Sequence, residues 1–293
     1  MLKQGQGRVV VGFGAESIVE LDDGTLLRCK THRRTGRAVC GDQVRFRQST
    51  PQEGVIEEIL PRRNALTRTN YRGQERTLAA NIDLLAVVIA AAPEPDFTLV
   101  DRYLVLAEHL QAIACLVRNK ADLAQTNAEL EARLSLYRAL DYPIITTSAT
   151  DGDGVATLAE ALAGGTGILV GQSGVGKSSL INRLVPDRQT RTQALSHASG
   201  QGRHTTTETT LYPLPRGGAL IDSPGIRILR LAHLSVDEIA HGYRELRPFA
   251  GQCQFRDCLH QDEPGCAVQP AVEQGRIDPR RLASFHVLLR ELR

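Results

Sequence analysis

The chain has 293 residues, 42% of them apolar, and a formal net charge of +2, which allows roughly two or three domains with their own cores. Its longest apolar run, LLAVVIAAA from Leu84 to Ala92, falls well short of the ~20 residues that span a bilayer, and MLKQGQGRVVVGFG has no signal-peptide core; a cytoplasmic protein with no membrane partner is expected. Six cysteines in that setting argue against a disulfide framework, because thiols there stay reduced.

From the N-terminus, GRVVVGFG, SIVEL, TLLRCKTHR, DQVRFR and EGVIEEIL read as five short strands. In DQVRFR the period of two puts Val44 and Phe46 on one face and Gln43, Arg45 and Arg47 on the other. Five strands with no intervening helix predict a small closed barrel of the OB type, an architecture that often binds oligonucleotides. Residues 1–80 carry fourteen Lys or Arg against nine Asp or Glu, and residues 81–170 carry five against twelve. The basic end either faces a polyanion or is simply a solvated charged surface; charge alone fits both. The polar, basic stretch from about 61 to 80 reads as a linker or a mobile RNA-facing segment.

Beyond residue 81 strands and helices alternate: NIDLLAVVIAA, LVDRYLVLAEHLQ, AIACLVRNKAD, LEARLSLYRAL, YPIITTSA, then GTGILVGQ and ALIDSPG. The strands are continuous apolar runs, as expected of a parallel sheet covered on both faces. After Arg230 come a helical run, LSVDEIAHGYREL, a Cys/His cluster and the amphipathic RRLASFHVLLREL, whose Phe285, Leu288, Leu289 and Leu292 share one stripe. Cys29, Cys40 and Cys115 lie in strand-like segments and read as small buried thiols.

The stretch Gly171, Gln172, Ser173, Gly174, Val175, Gly176, Lys177, Ser178, Ser179 follows an apolar strand and opens a helix, the context of a phosphate-binding loop. Its backbone N–H groups would cradle phosphate, Lys177 would reach the β- and γ-phosphates, and the Ser178 hydroxyl would ligate Mg²⁺. NKAD supplies base selection: the Asp122 carboxylate accepts from guanine N1–H and the 2-amino group, Asn119 meets N7 and ties the loop down, and Lys120 and Ala121 cover the base. Adenine offers no donors at that position, which disfavours an ATP-using kinase or ATPase. In TSAT, Ser148 and the Ala149 N–H belong to the same base site. DSPG places Asp222 near Mg²⁺ through water and the Gly225 N–H near the γ-phosphate. In GRHTTT, one of Thr205, Thr206 and Thr207, with Thr206 taken as ligand, completes the Mg²⁺ shell; the alternative is a threonine-rich loop without that role.

NKAD ends about fifty residues before the phosphate loop begins, the reverse of the usual order. All the guanine-nucleotide motifs are present in the order base, base, loop, switch, switch, so a circularly permuted GTPase domain is expected. Cys253, Cys258, His260 and Cys266 follow as C-x4-C-x-H-x5-C, three thiolates and an imidazole suited to one structural zinc per chain. The permuted order, GRHTTT, DSPG followed by an apolar residue, the small barrel and the Cys/His cluster together resemble the RsgA (YjeQ) family of bacterial ribosome-assembly GTPases.

That resemblance covers nearly the whole chain. It implies a multidomain fold: an N-terminal OB-type β-barrel over 1–65, a circularly permuted α/β P-loop GTPase domain over 66–230 and a zinc-binding, mainly helical domain over 231–293. It also implies a monomeric GTPase that binds GTP and GDP with Mg²⁺, acts on the small (30S) ribosomal subunit and its 16S rRNA late in maturation, and is stimulated by that subunit. The same four Cys/His positions hold zinc in the family. Where many small GTPases place a water-orienting Gln after the second-switch glycine, this chain has Ile226, so intrinsic hydrolysis should be slow. His204 is the nearest polar candidate for positioning water; an rRNA contact and an exposed switch residue are its other readings. A GTP-gated RNA-binding module in which hydrolysis is incidental is the competing reading of the whole chain.

Overall fold

The computed structural model describes residues 4–69, 75–123, 128–199, 209–223 and 231–292. The five N-terminal strands are β1 (Gln4–Phe13), β2 (Glu16–Glu20), β3 (Leu26–Thr31), β4 (Gln43–Gln48) and β5 (Glu53–Ile59). They pair in the order β1-β2-β3-β5-β4, with β3 and β5 parallel, and β4 returns to β1 to close the barrel. The long first strand makes closure possible: Gln4 to Arg8 pairs with β4, and Arg8 to Phe13 pairs with β2 across a bulge. Val9, Val19, Leu27, Cys29, Val44, Phe46 and Ile56 fill the interior, while Gln43, Arg45 and Arg47 are exposed, as the period of two requires.

The segment expected to be a linker is instead a hairpin of β6 (Ala65–Thr69) and β7 (Glu75–Ala80). Leu66, Ala79 and Ala80 are buried, but two alanines and one leucine give too faint an alternation to stand out beside the arginines. A bridge from Cys40 to Ala79 and hydrogen bonds from Asn81 to Gly41 and from Asn64 to Ile82 fasten the hairpin between barrel and sheet.

The central sheet contains β8 (Leu84–Ile89), β9 (Ile113–Arg118), β10 (Ile144–Thr146), β11 (Thr166–Val170), β12 (Thr210–Pro213) and β13 (Ala219–Asp222). Its order is β10-β9-β8-β11-β13-β12, parallel except for β12. Leu85, Val87 and Ile89 of β8 join one core, and Leu84, Ala86 and Val88 join the other, which is why the strand reads as an unbroken apolar run. On the first face lie α1 (Phe97–His109) and α2 (Ala128–Ala139); α3 (Val155–Ala161) and α4 (Lys177–Leu184) cover the second. Helix α5 (Arg188–Ser199) packs on β2 and β3 of the barrel. Strand β12 pairs with β1 through Thr210 and Val11, so barrel and sheet are hydrogen-bonded into one surface.

Three further helices follow: α6 (Val236–Gly242), α7 (Val268–Glu273) and α8 (Pro279–Arg290). A Ser235/Glu238 capping box starts α6, and Asp278 caps α8 with Pro279 in its first turn. Phe285, Leu288 and Leu289 are buried as the apolar stripe predicts, and they belong to the same core as α1. Gly242 permits the close approach of α6 to α1, since a Cβ there would lie 2.6 Å from a Val105 methyl. No helix among the described residues is long and apolar enough to cross a membrane.

Candidate nucleotide and metal sites

Successive parallel strands run outward in one direction from β8 to β9 and β10, and in the other from β11 to β13. The connections therefore diverge between β8 and β11, which is where an α/β sheet opens a ligand crevice at the carboxyl ends of its strands. The glycine loop leaves β11 at this point. Gly171 has φ +138°, and a Cβ on it would sit 2.2 Å from the Val88 carbonyl oxygen of the neighbouring strand; only glycine lets the loop start so close to β8. Tyr103 of α1 lies beside Gly171, both lining one small cavity. Lys177, first residue of α4, donates from Nζ to the Gly171 and Gln172 carbonyls at 2.7 and 2.5 Å. Ser173, Gly174, Ser178 and Ser179 lie at the surface, and Val175 is buried beneath them.

The NKAD turn lies beside this loop because β9 is next to β8. Asn119 is buried; its Nδ2 donates to the Val175 carbonyl at 2.9 Å, and its Oδ1 accepts from the Thr147 hydroxyl at 3.1 Å and the Ala149 N–H at 3.2 Å. One side chain thus ties the phosphate loop to both base motifs. The fit is tight at Gly176, where a Cβ would come within 2.3 Å of Asn119 Nδ2. The Ala149 N–H, expected to belong to the base site, donates to the Asn119 amide oxygen. Lys120 takes a φ of +63° and anchors its Nζ on the Ala92 carbonyl at 2.9 Å. The Ala121 N–H donates to Thr147 O at 3.1 Å. Asp122 is exposed and accepts from the buried Ser148 hydroxyl at 2.8 Å. That bond aims one carboxylate oxygen while leaving accepting capacity for a base edge.

Asp222 ends β13, two strands from β8, and its carboxylate pairs with Arg188 at the start of α5. A serine hydroxyl in the first turn of α4 and a carboxylate at the end of β13 are hard oxygen donors of the kind that suit Mg²⁺. Of the other expected site residues, His204, Thr205, Thr206, Thr207 and Gly225, together with Ile226, lie outside the described residues. Two contacts had no signature in the sequence. Arg183 of α4 donates to the carbonyls of Ala149 and Thr150, and Arg188 meets Asp222 across 34 residues of chain.

Cys253, Cys258, His260 and Cys266 converge, with their ligand atoms within 4.8 Å of one another. His260 Nδ1 lies 3.5, 3.6 and 3.6 Å from the three sulfurs. A tetrahedral ion with bonds of about 2.3 Å to sulfur and 2.0–2.1 Å to nitrogen has S···N edges of about 3.5 Å, so the group fits one metal. Desolvation, reinforced by the neighbouring Cys266 and Cys253 thiols, pushes Cys258 up to about 12, and desolvation holds His260 below the usual histidine range. Glu263 accepts from the Leu259 and Gln261 N–H groups at 2.8 and 2.7 Å, and the Ala267 N–H donates to Cys253 Sγ at 3.4 Å, shaping the loop around the cluster. The other three thiols are free and buried, as expected.

A family model described as RsgA GTPase matches residues 59–232. A protein of Pseudomonas putida named small ribosomal subunit biogenesis GTPase RsgA is 46% identical over 292 residues, covering 98% of this chain and 85% of the relative. The crystal structure of YjeQ from Thermotoga maritima is similar with a TM-score of 0.78 at 32% identity, covering 99% of both chains. The crystal structure of YloQ, described as a circularly permuted GTPase, gives 0.77 at 26% identity, covering 99% of this chain and 95% of its own.

Proposed function

The chain belongs to the RsgA GTPase family, and from that premise we propose that it is a GTP hydrolase that assists late maturation of the small (30S) ribosomal subunit in the cytoplasm. It works as a monomer, contacts 16S rRNA and is stimulated by the subunit. We assign the barrel to 1–65, the permuted GTPase domain to 66–230 and the zinc domain to 231–293. The observation that carries the nucleotide reading is Asn119, whose amide holds the phosphate loop and the Thr147–Ala149 turn in one crevice despite their permuted order.

In this reading the loop from Gly171 to Ser179 binds phosphates, and Lys177 leaves its two carbonyls for the β- and γ-oxygens. Asp122, steadied by Ser148, selects guanine. Ser178 and Thr206 would ligate Mg²⁺ and Asp222 would hold it through water; the ion would supply charge neutralisation between the phosphates. Gly225 senses the γ-phosphate, and His204 orients the attacking water in place of the absent glutamine. Zinc is the metal of the Cys3His group, because three thiolates and an imidazole close a tetrahedral shell with no position left for substrate.

The decisive experiment measures multiple-turnover phosphate release with and without purified small subunits. Stimulation by subunits is expected; nucleotide binding without stimulated release would favour the GTP-gated binding module. His204→Ala should lower stimulated turnover by about a hundredfold with GTP affinity nearly constant. If saturating subunits restore that turnover, the residue contacts rRNA instead.

A further inference from the structure

Arg188 is the first residue of α5, and its guanidinium reaches three elements around the phosphate crevice. It pairs with Asp222 Oδ2 at the end of β13, donates to Asn182 Oδ1 of the phosphate-loop helix at 2.8 Å, and lies 5.7 Å from the ring centroid of Tyr212 on β12. The pair is partly shielded, with side-chain exposures of 27% and 20%. The carboxylate it holds is the one proposed for the Mg²⁺ shell, and the role of Arg188 rests on that assignment. A guanidinium and a hydrated divalent cation draw on the same carboxylate lone pairs, so each weakens the other's hold.

We infer that Arg188 is a positioning residue for the metal carboxylate: it keeps Asp222 aimed and charge-balanced, and it competes with Mg²⁺, thereby setting the Mg²⁺ concentration the nucleotide site requires. The competition has a built-in readout in the fold. One turn along the same helix, Arg191 pairs with Glu20 of β2 at 2.6 Å, and buried Leu195 lies a turn further on. Metal that draws Asp222 away from Arg188 removes one of the contacts that hold the first turn of the helix that rests on the barrel. The 34-residue separation of Arg188 and Asp222 hides this link from the sequence.

The test titrates MgCl₂ into the full chain holding a fluorescent non-hydrolysable GTP analogue and reads the Mg²⁺ concentration that half-maximally slows analogue dissociation. Arg188→Met removes the competing charge and should lower that concentration roughly three- to tenfold, the range for a partly shielded charge-assisted pair. Arg188→Lys, which keeps the charge, should remain nearer the parent. An unchanged or raised half-point in Arg188→Met, with thermal unfolding unaltered, would overturn the inference; if that variant is unstable, Arg188→Gln is read against the same criterion. Asp222→Asn separates the metal assignment from the role of Arg188. If it leaves the Mg²⁺ dependence unmoved, the metal assignment itself fails; if it raises the half-point while Arg188→Met does not lower it, only the role of Arg188 fails.

Discussion

Asp122, the carboxylate proposed to select guanine, is exposed yet steadied by the buried Ser148 hydroxyl, so its accepting geometry would be set before a base arrives. Asp122→Asn should lower GTP affinity by about a hundredfold or more, because the amide presents a donor to the 2-amino group of guanine. Affinity for xanthine nucleotide should rise, since its 2-oxo group accepts that donor. Competition binding with the two nucleotides checks this, and unchanged GTP affinity would remove Asp122 from the site. Asn119 is legible in sequence as a loop tie, whereas Arg183 is not: its partners are backbone carbonyls of Ala149 and Thr150, and carbonyls leave no trace in residue identity.

At the scale of elements, few apolar side chains lie between Cys253 and Cys266, and the exposed Phe255 is among them, so a metal held by the Cys3His group would supply folding free energy locally. Cys258→Ala should release the metal and abolish hydrogen-exchange protection over about residues 250–270 while nucleotide binding persists, because the phosphate loop rests on a separate strand and helix. Retention of one equivalent of zinc by elemental analysis would refute the proposed shell. The hairpin β6–β7 illustrates the converse case. Its pairing is tertiary in origin, fixed by Asn64 and Asn81 bonding to backbone on other elements, and a period-two pattern carried by Leu66 and two alanines is too weak to announce it.

Across the whole molecule, α1 links the nucleotide crevice to the C-terminal helices. Its Tyr103 lies beside Gly171 of the phosphate loop, and its fully buried Asp101 pairs with Arg281 of α8, which also donates to Glu245 at 2.5 Å and lies 4.4 Å from the Tyr243 ring centroid. Burial alone would push Arg281 down, but Asp101 and Glu245 hold it well above its usual value. Arg281→Met strands two buried carboxylates and should cost about 3–5 kcal/mol, seen as faster amide exchange throughout α8; a loss below about 1 kcal/mol would mean that apolar packing alone holds the helix. A second join is sensitive to acid. Desolvation raises Glu108, yet Arg247 at 2.6 Å and Arg244 at 2.7 Å outweigh it and hold the carboxyl below its usual range. A carboxyl lowered by folding contributes stability above its unfolded value, about 4.3, and loses that contribution as pH falls through the folded value. Exchange protection of residues 236–249 should therefore decline below about pH 4, and Glu108→Gln should remove that step.

The amino-acid sequence by itself determined the barrel strands, the alternating α/β elements, the permuted motif order and the Cys/His cluster, because each is encoded by local periodicity or by close spacing of chemically distinctive residues. Tertiary structure alone decided that β12 joins β1 to fuse barrel and sheet, that α5 rests on the barrel, and that Arg188 and Arg281 find their carboxylates across 34 and 180 residues of chain. Such pairings depend on where distant segments meet. An arginine in isolation carries the same charge whether it faces solvent or a buried acid, so only the packed fold distinguishes the two.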